Sequence, residues 1–466
     1  MATRAPRVNV AVPALAAERQ VAWPKRTRAR LPNGLQVVLA EAHSIPKFHG
    51  ELYFRAGEAL ASDRTVGLAE MTATVVRTGT GKRTSRQIEE DLRRLGADLG
   101  TSAGQDTSAI SFAGLSEFAE PLLQLVNELA REAVFPEAEF ERERRQKIEE
   151  VKLERTSPSF LAGERLRKVL FGEHPYARIS PSEAQVAAYS RGDLEAVYRE
   201  IYTPENALLV LVGDFDPQGM LKLIEKIFGD WAGKKPVARE VAAPSQIRGR
   251  RVYLVHNPGS VQAQILAGCH AITRKHPDWI RLGLTNSVYG GAFNSRLVMN
   301  IREDKGYTYS PRSGTTPLRQ HGYFSVSAAV RNDVVAASLT EIFYEIDKLR
   351  SVAVPDAELG DAQNYLSGVF SMGLATQEGL LSQFSTVELH ELPEDYLETY
   401  RDRVRALNST DLLATARKYL DSANMQIVVV GDRTQIERQA ELFGEIEVYD
   451  AQGKPLDAGP AESSSV

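Results

Sequence analysis

A helix–turn–strand unit occurs twice in this chain, and that repeat constrains the fold more than any other feature. Asp193-Leu194-Glu195-Ala196 runs without a gap to Asn206 and then to Val210-Leu211-Val212-Gly213-Asp214. Asp411-Leu412-Leu413-Ala414 runs likewise to Asn424 and Val428-Val429-Val430-Gly431-Asp432. The offset is 218 residues at both ends, from 193 to 411 and from 213 to 431, and nine of the 22 aligned positions are identical. Each copy reads as an amphipathic helix, a short turn and a buried β-branched strand ending at Gly-Asp. Self-similarity at a fixed period marks a repeated structural unit. A chain of 466 residues also exceeds what one core holds, since single cores stop growing near roughly 250–300 residues.

The two halves open alike. Leu35–Ala40 and Glu51–Gly57 read as strands in the first, Arg251–Val255 and Ala263–Gly268 in the second, and each pair precedes a helix of small and apolar residues. Ile88, Leu92 and Leu95 fall on one helical face, as do Leu122, Leu125, Val126 and Leu129. Strands and long helices mixed without strict βαβ alternation predict an α+β fold. The expected division is an N-terminal extension over 1–27, a first α+β domain over 28–231, a linker over 232–250 with Lys234-Lys235-Pro236 and Ala243-Pro244-Ser245, a second α+β domain over 251–450, and a disordered tail over 451–466.

Composition removes several classes of function. A net charge of −5 and a pI near 6.0 give no basis for a nucleic-acid partner or an anionic membrane surface. Cys269 is the only cysteine, which excludes an internal disulfide and a multi-cysteine zinc site. No run reaches the roughly 20 apolar residues of a membrane span. The start carries Arg4 and Arg7 before the short apolar stretch Val8–Ala17, which Pro13 interrupts, so it is not a convincing signal peptide. The compartment stays open: cytoplasmic by default, with periplasmic placement compatible.

The chemistry concentrates in Gly67-Leu68-Ala69-Glu70-Met71-Thr72-Ala73-Thr74-Val75-Val76-Arg77-Thr78-Gly79-Thr80. Further signals are Leu31-Pro32-Asn33-Gly34-Leu35, Glu149-Glu150-Val151, His174-Pro175-Tyr176 and Tyr202-Thr203-Pro204-Glu205-Asn206. The second half adds Gly290–Leu297 and Arg302-Glu303-Asp304-Lys305-Gly306-Tyr307-Thr308-Tyr309-Ser310. In order and spacing, from about Arg30 to Asp450, this set resembles the pitrilysin and mitochondrial-processing-peptidase family of zinc metallopeptidases. The resemblance implies two homologous domains, each an antiparallel sheet covered by helices, forming one side of a clamshell.

Active members carry H-x-x-E-H in the frame that Gly67–Thr80 resembles. Two histidines one helical turn apart hold zinc, and the glutamate between them takes a proton from the bound water. Here the histidine positions are Glu70 and Thr74 and the glutamate position is Ala73. Glu150, 76 residues after Thr74, matches the later glutamate ligand. The resemblance therefore implies no metal and no cofactor in this chain, with zinc expected in a partner chain. Two other readings stand beside it. Glu150 lies in a run of alternating charge, Glu141–Glu154, of the kind that forms a solvated face. Glu70, Thr74 and Glu150 are also oxygen ligands of the type a hard cation takes. The eight histidines supply no substitute: none forms H-x-x-x-H, and His43/His49 and His270/His276 lack helical ligand spacing.

Arg302 and Tyr309 fall on the arginine–tyrosine pair that active members use to complete the site from across the chamber. A tyrosine hydroxyl can donate to a developing oxyanion and an arginine fork can hold a carbonyl or carboxylate. The plainer alternative pairs Arg302 with Glu303 or Asp304 and leaves Tyr309 to pack, with Tyr307 as the competing tyrosine. The expected function is that of a non-catalytic subunit of a heteromeric zinc metallopeptidase acting on peptides, bound to a catalytic chain that bears H-x-x-E-H and inactive alone. Peptide substrate would add as a strand on the Gly100–Gly114 edge. The alternative is a scaffold subunit of a larger complex, with no peptidase role. A third, the substrate-recognising partner of a processing peptidase, fits less well because Tyr289-Gly290-Gly291-Ala292 is too short for that subunit's long glycine-rich loop.

Overall fold

In the computed structural model, which describes residues 23–60, 65–233 and 241–456, the two repeat strands stand inside two separate sheets. The first sheet consists of β1 (Arg26–Arg30), β2 (Gln36–Glu41), β3 (Lys47–Phe54), β4 (Asp98–Ala103), β5 (Ser108–Leu115) and β6 (Ala207–Gly213), in the order β1-β2-β6-β3-β5-β4. The second consists of β7 (Val252–His256), β8 (Gln262–Ala271), β9 (Arg312–Pro317), β10 (Gly322–Arg331), β11 (Gln426–Gly431), β12 (Ile446–Tyr449) and β13 (Pro455–Leu456), in the order β13-β12-β7-β11-β8-β10-β9. The α+β class and the two similar halves are as the sequence suggests. The sheets, however, are mixed where purely antiparallel ones were expected. β6 runs parallel to β2 and antiparallel to β3, and β11 runs parallel to β7 and antiparallel to β8.

The physical reason lies in the repeat strands themselves. Every residue of β6 and of β11 is buried. A strand apolar on both faces belongs in the middle of a sheet covered on both sides, so each one splits the two strands that open its half. The helix before it is fixed by its first turn. Ser190 forms a capping box with Asp193 and Asn408 forms one with Asp411. The first identical pair of the repeat, Asp193/Asp411, is thus the third helical residue, whose carboxylate satisfies the cap's own amide.

Covering two faces requires an exchange between the halves. Val37, Leu39, Leu209 and Leu211 face the helices of the first half. Val38, Ala40, Leu208, Val210 and Val212 face the opposite way, into a cluster with Leu380, Leu381, Phe384 and Val387 of the Gln377–Leu389 helix. In return, the Pro158–Phe171 helix of the first half lays Leu161, Leu166, Leu170 and Phe171 against Tyr253, Val255, Val428 and Val430 of the second sheet. Each buried Leu or Phe contributes roughly 1.5–3 kcal/mol, so the exchanged helices bind the halves firmly together.

The ends differ in detail from the expected boundaries. β1 begins at Arg26, inside the stretch assigned to an extension, because its polar sequence Arg-Thr-Arg-Ala-Arg hides an edge strand from a pattern search. The first residues of the 451–466 tail form a turn and β13, which pairs with β12. Residues 1–22, including Val8–Ala17, residues 234–240 of the linker and residues 457–466 lie outside the described residues. Gly100–Gly114 is a hairpin of β4 and β5 and does not form a single edge. Ser108, Ile110 and Phe112 are buried in it because β5 is paired on both sides, which leaves β4 as the edge. No helix among the described residues is long and apolar enough to cross a membrane.

A polar seam joins the halves beside the exchanged helices. Asp106 accepts from the Tyr176 hydroxyl at 2.5 Å and from the Arg319 amide at 2.9 Å. The rings of His174 and His321 stand 5.7 Å apart, and Phe171 packs on His270. The Arg167 guanidinium lies over Phe171 and Tyr323. Burial lowers the pKa of His174, His270 and His321, and the His321 and Arg167 charges lower that of His174 further, while Asp106 opposes them. A histidine held below its usual pKa resists protonation in the folded state, so its contribution is intact at neutral pH and lost as pH falls through the ordinary histidine range near about 6.5. Glu51 works the other way in this window, since burial beside Glu378 pushes its carboxyl up to about 7. His321→Gln is therefore expected to lose less stability than the parent between pH 7.5 and pH 5.5, read as the shift in urea midpoint; equal shifts would disprove the seam's part in acid sensitivity.

Candidate functional site

The helix Leu68–Val76 carries the zinc-helix frame, and its start is built by distant residues. Gly67 has φ 83°, and a Cβ there would come within 2.8 Å of both Pro181 and the Tyr189 hydroxyl. Gly67 offers no side-chain cap, so the Glu58 carboxylate takes that role, accepting from the Gly67 and Glu70 amides at 2.9 and 2.8 Å. Burial holds the Glu58 pKa above its usual value, with these amides opposing the rise only in part.

On this helix the three positions that the resemblance aligns with H-x-x-E-H make other contacts. Ala73 is buried and offers only a methyl group. The Thr74 hydroxyl donates to the Glu70 carbonyl at 3.1 Å, back along its own helix. Glu70 reaches across to the Glu137–Glu154 helix, where Lys147 Nζ lies 2.9 Å from Glu70 Oε1 and 3.1 Å from Glu150 Oε2. The Lys147 side chain is only 9% exposed. Its burial disfavours the charge, but the two carboxylates outweigh that and raise its pKa, so it is an ammonium at neutral pH.

An ammonium therefore stands between the carboxylates of Glu70 and Glu150. The residues do not fit zinc: no imidazole is present, and both carboxylates are engaged by Lys147. The same contacts remove support for a hard cation on Glu70, Thr74 and Glu150. Among the described residues no cluster of three His, Cys, Asp or Glu side chains suits a metal ion. Glu150 is half-exposed, as an alternating charged face requires, yet it is also tied to Lys147. The sequence reading did not single out Lys147. Its position three residues before Glu150 was a usable signal, but only the packing of the two helices reveals that it also reaches Glu70.

In the second half, Arg302 sits in the π-helical turn Val298–Asp304. The chain leaves that turn through Gly306 at φ 62°, in the left-handed region open to glycine. The turn brings Arg302 and Tyr309 together, with the guanidinium carbon 4.8 Å from the centre of the Tyr309 ring and equally 4.8 Å from that of Phe293. Arg302 Nε also meets the neighbouring Glu303 at 3.1 Å, as the plainer alternative anticipated. Tyr309 is 81% exposed, which sets it apart from half-buried Tyr307. Gly290 and Gly291 make room for this chain's own side chains. A Cβ would come within 2.5 Å of Ser313 at Gly290 and within 2.4 Å of Asn286 at Gly291.

Two sheets with exchanged helices, a zinc-type helix and a second-half arginine–tyrosine pair define a metallopeptidase-like protein. Family comparison gives the same answer: "Insulinase (Peptidase family M16)" matches residues 36–179 and "Peptidase M16 inactive domain" matches residues 188–366. The chain belongs to the M16 peptidase family. It is similar to the uncharacterized zinc protease YmxG of Bacillus subtilis, with 21% identity over 83% of this chain and 93% of that one. An uncharacterized zinc protease of Streptomyces coelicolor is 23% identical over 84% of this chain and 87% of its own length. Among solved structures, a peptidase M16 inactive domain from Pseudomonas fluorescens superposes with TM-score 0.82 and 26% identity, covering 87% of this chain and 98% of that one. A protease from Helicobacter pylori has the same fold, with TM-score 0.82 and 20% identity over 88% of this chain and 100% of that one.

Because Lys147 is buried while its partners are half-exposed, its contribution lies between that of a surface pair and that of a buried one. Lys147→Met is expected to cost roughly 1–2 kcal/mol in urea unfolding. Adding Glu70→Gln to it should recover part of that loss. A double variant whose effects simply add would show that the two side chains do not interact.

Proposed function

We propose that this chain is the non-catalytic subunit of a heteromeric M16 peptidase. It pairs with a second chain of the same family that carries an intact H-x-x-E-H helix, and it presents Arg302 and Tyr309 to that chain's zinc site. The peptides degraded or processed there are bound along β4, whose outer edge is unpaired in its sheet. Zinc belongs to the partner in this reading. The observation that supports it is the contrast between the halves: Lys147 bridges Glu70 and Glu150 in the first, while in the second Arg302 lies over the ring of Tyr309, which is 81% exposed.

The chemistry of the pair suits that role. The Tyr309 hydroxyl can donate to an oxyanion that develops at a scissile carbonyl, a contact worth roughly 3–4 kcal/mol in a water-poor site. The Arg302 fork supplies fixed, permanently charged donors for a peptide carbonyl or carboxylate. Both act only once a partner's site closes over them.

The test is reconstitution. The purified chain alone is expected to be inactive on peptides and to co-purify without stoichiometric zinc, and activity is expected on mixing with the H-x-x-E-H chain. Tyr309→Phe and Arg302→Ala should each lower kcat of the mixture by roughly 10²-fold or more without preventing association. Association with unchanged kcat in both variants would leave a scaffold role as the correct reading.

A further inference from the structure

Phe293 is 67% exposed, yet the Arg302 guanidinium carbon lies over its ring at 4.8 Å from the ring centre, as it does over that of Tyr309. The Arg302 side chain is only 25% exposed, although both rings are themselves largely in water. A guanidinium that rests on aromatic rings keeps its N–H edge for hydrogen bonds. The Nε corner of that edge meets Glu303 at 3.1 Å, so the terminal nitrogens are the ones left to a ligand.

We infer that Phe293 is a positioning residue for Arg302: its ring fixes the guanidinium plane so that the terminal N–H groups meet a peptide carbonyl or carboxylate edge-on. This rests on the proposed role of Arg302 in a partner's site and adds to it a residue outside the arginine–tyrosine pair. In this role Phe293 acts through Arg302. A large aromatic side chain left in water at this point is accounted for by its stack on Arg302.

The experiment uses the reconstituted two-chain complex and a fluorogenic peptide. Phe293→Leu keeps an apolar side chain of similar bulk but removes the aromatic face. It is expected to lower kcat about tenfold, in line with misplacement of a group that must meet the transition state, with KM changed less than about twofold. Phe293→Trp should restore kcat to within about twofold of the parent, and Phe293→Leu should add nothing to Arg302→Ala. Unchanged kcat in Phe293→Leu, an effect confined to KM or to association, failure of Phe293→Trp to rescue, or additivity with Arg302→Ala would each overturn the inference. Loss of folding or association in Phe293→Leu would also overturn it, since that would make the ring a packing residue. If Arg302→Ala itself has no effect, the proposed function has failed, and the two failures are thereby told apart.

Discussion

β6 and β11 are buried on both faces along their whole length, and the rest of the structure is arranged to keep them so. A strand of this kind needs a paired neighbour on each edge and an apolar layer on each side. Its own half supplies the edges and one layer. The second layer comes from the other half, through the Pro158–Phe171 and Gln377–Leu389 helices. The two halves are therefore interdependent, and the seam of Asp106, Tyr176 and the histidines lies where the exchange is made. Each half, separated from the other, would expose one face of its central strand to water.

That rigid frame gives opposite fates to the two places where M16 chemistry would be sought. In the first half, Glu70 and Glu150 stand as like charges on facing helices. Lys147 neutralises their repulsion with a single buried ammonium, which does electrostatically part of what a metal would do and none of the Lewis-acid chemistry. In the second half nothing has been filled in. Arg302 lies over the rings of Phe293 and Tyr309, which remain in water, with Glu303 at its Nε. The proposed subunit role rests on this asymmetry between the halves.

Much of this was legible without coordinates, for identifiable reasons. The repeat around Asp193 and Asp411 could be read because capping boxes and strands buried on both faces have short-range signatures. The departure of Glu70, Ala73 and Thr74 from H-x-x-E-H could be read because it is a matter of residue type alone. The parallel pairing was not legible: strand order depends on which apolar strand takes the middle of the sheet, and the local pattern of β2 and β3 is the same either way. The polar edge strand β1 was missed because it has no apolar alternation to detect.

The sequence by itself determined that there are two related α+β units and that Gly67–Thr80 departs from H-x-x-E-H, because residue type and spacing along a helix or strand decide both. Only the tertiary structure decided that helices are exchanged between the halves, that Lys147 bridges Glu70 and Glu150, and that Phe293 joins Tyr309 on Arg302. These are contacts between residues on different elements or across a turn. Their existence depends on how faces pack and which way a turn leads, and local sequence does not encode the distance between two side chains that meet only after the chain has folded.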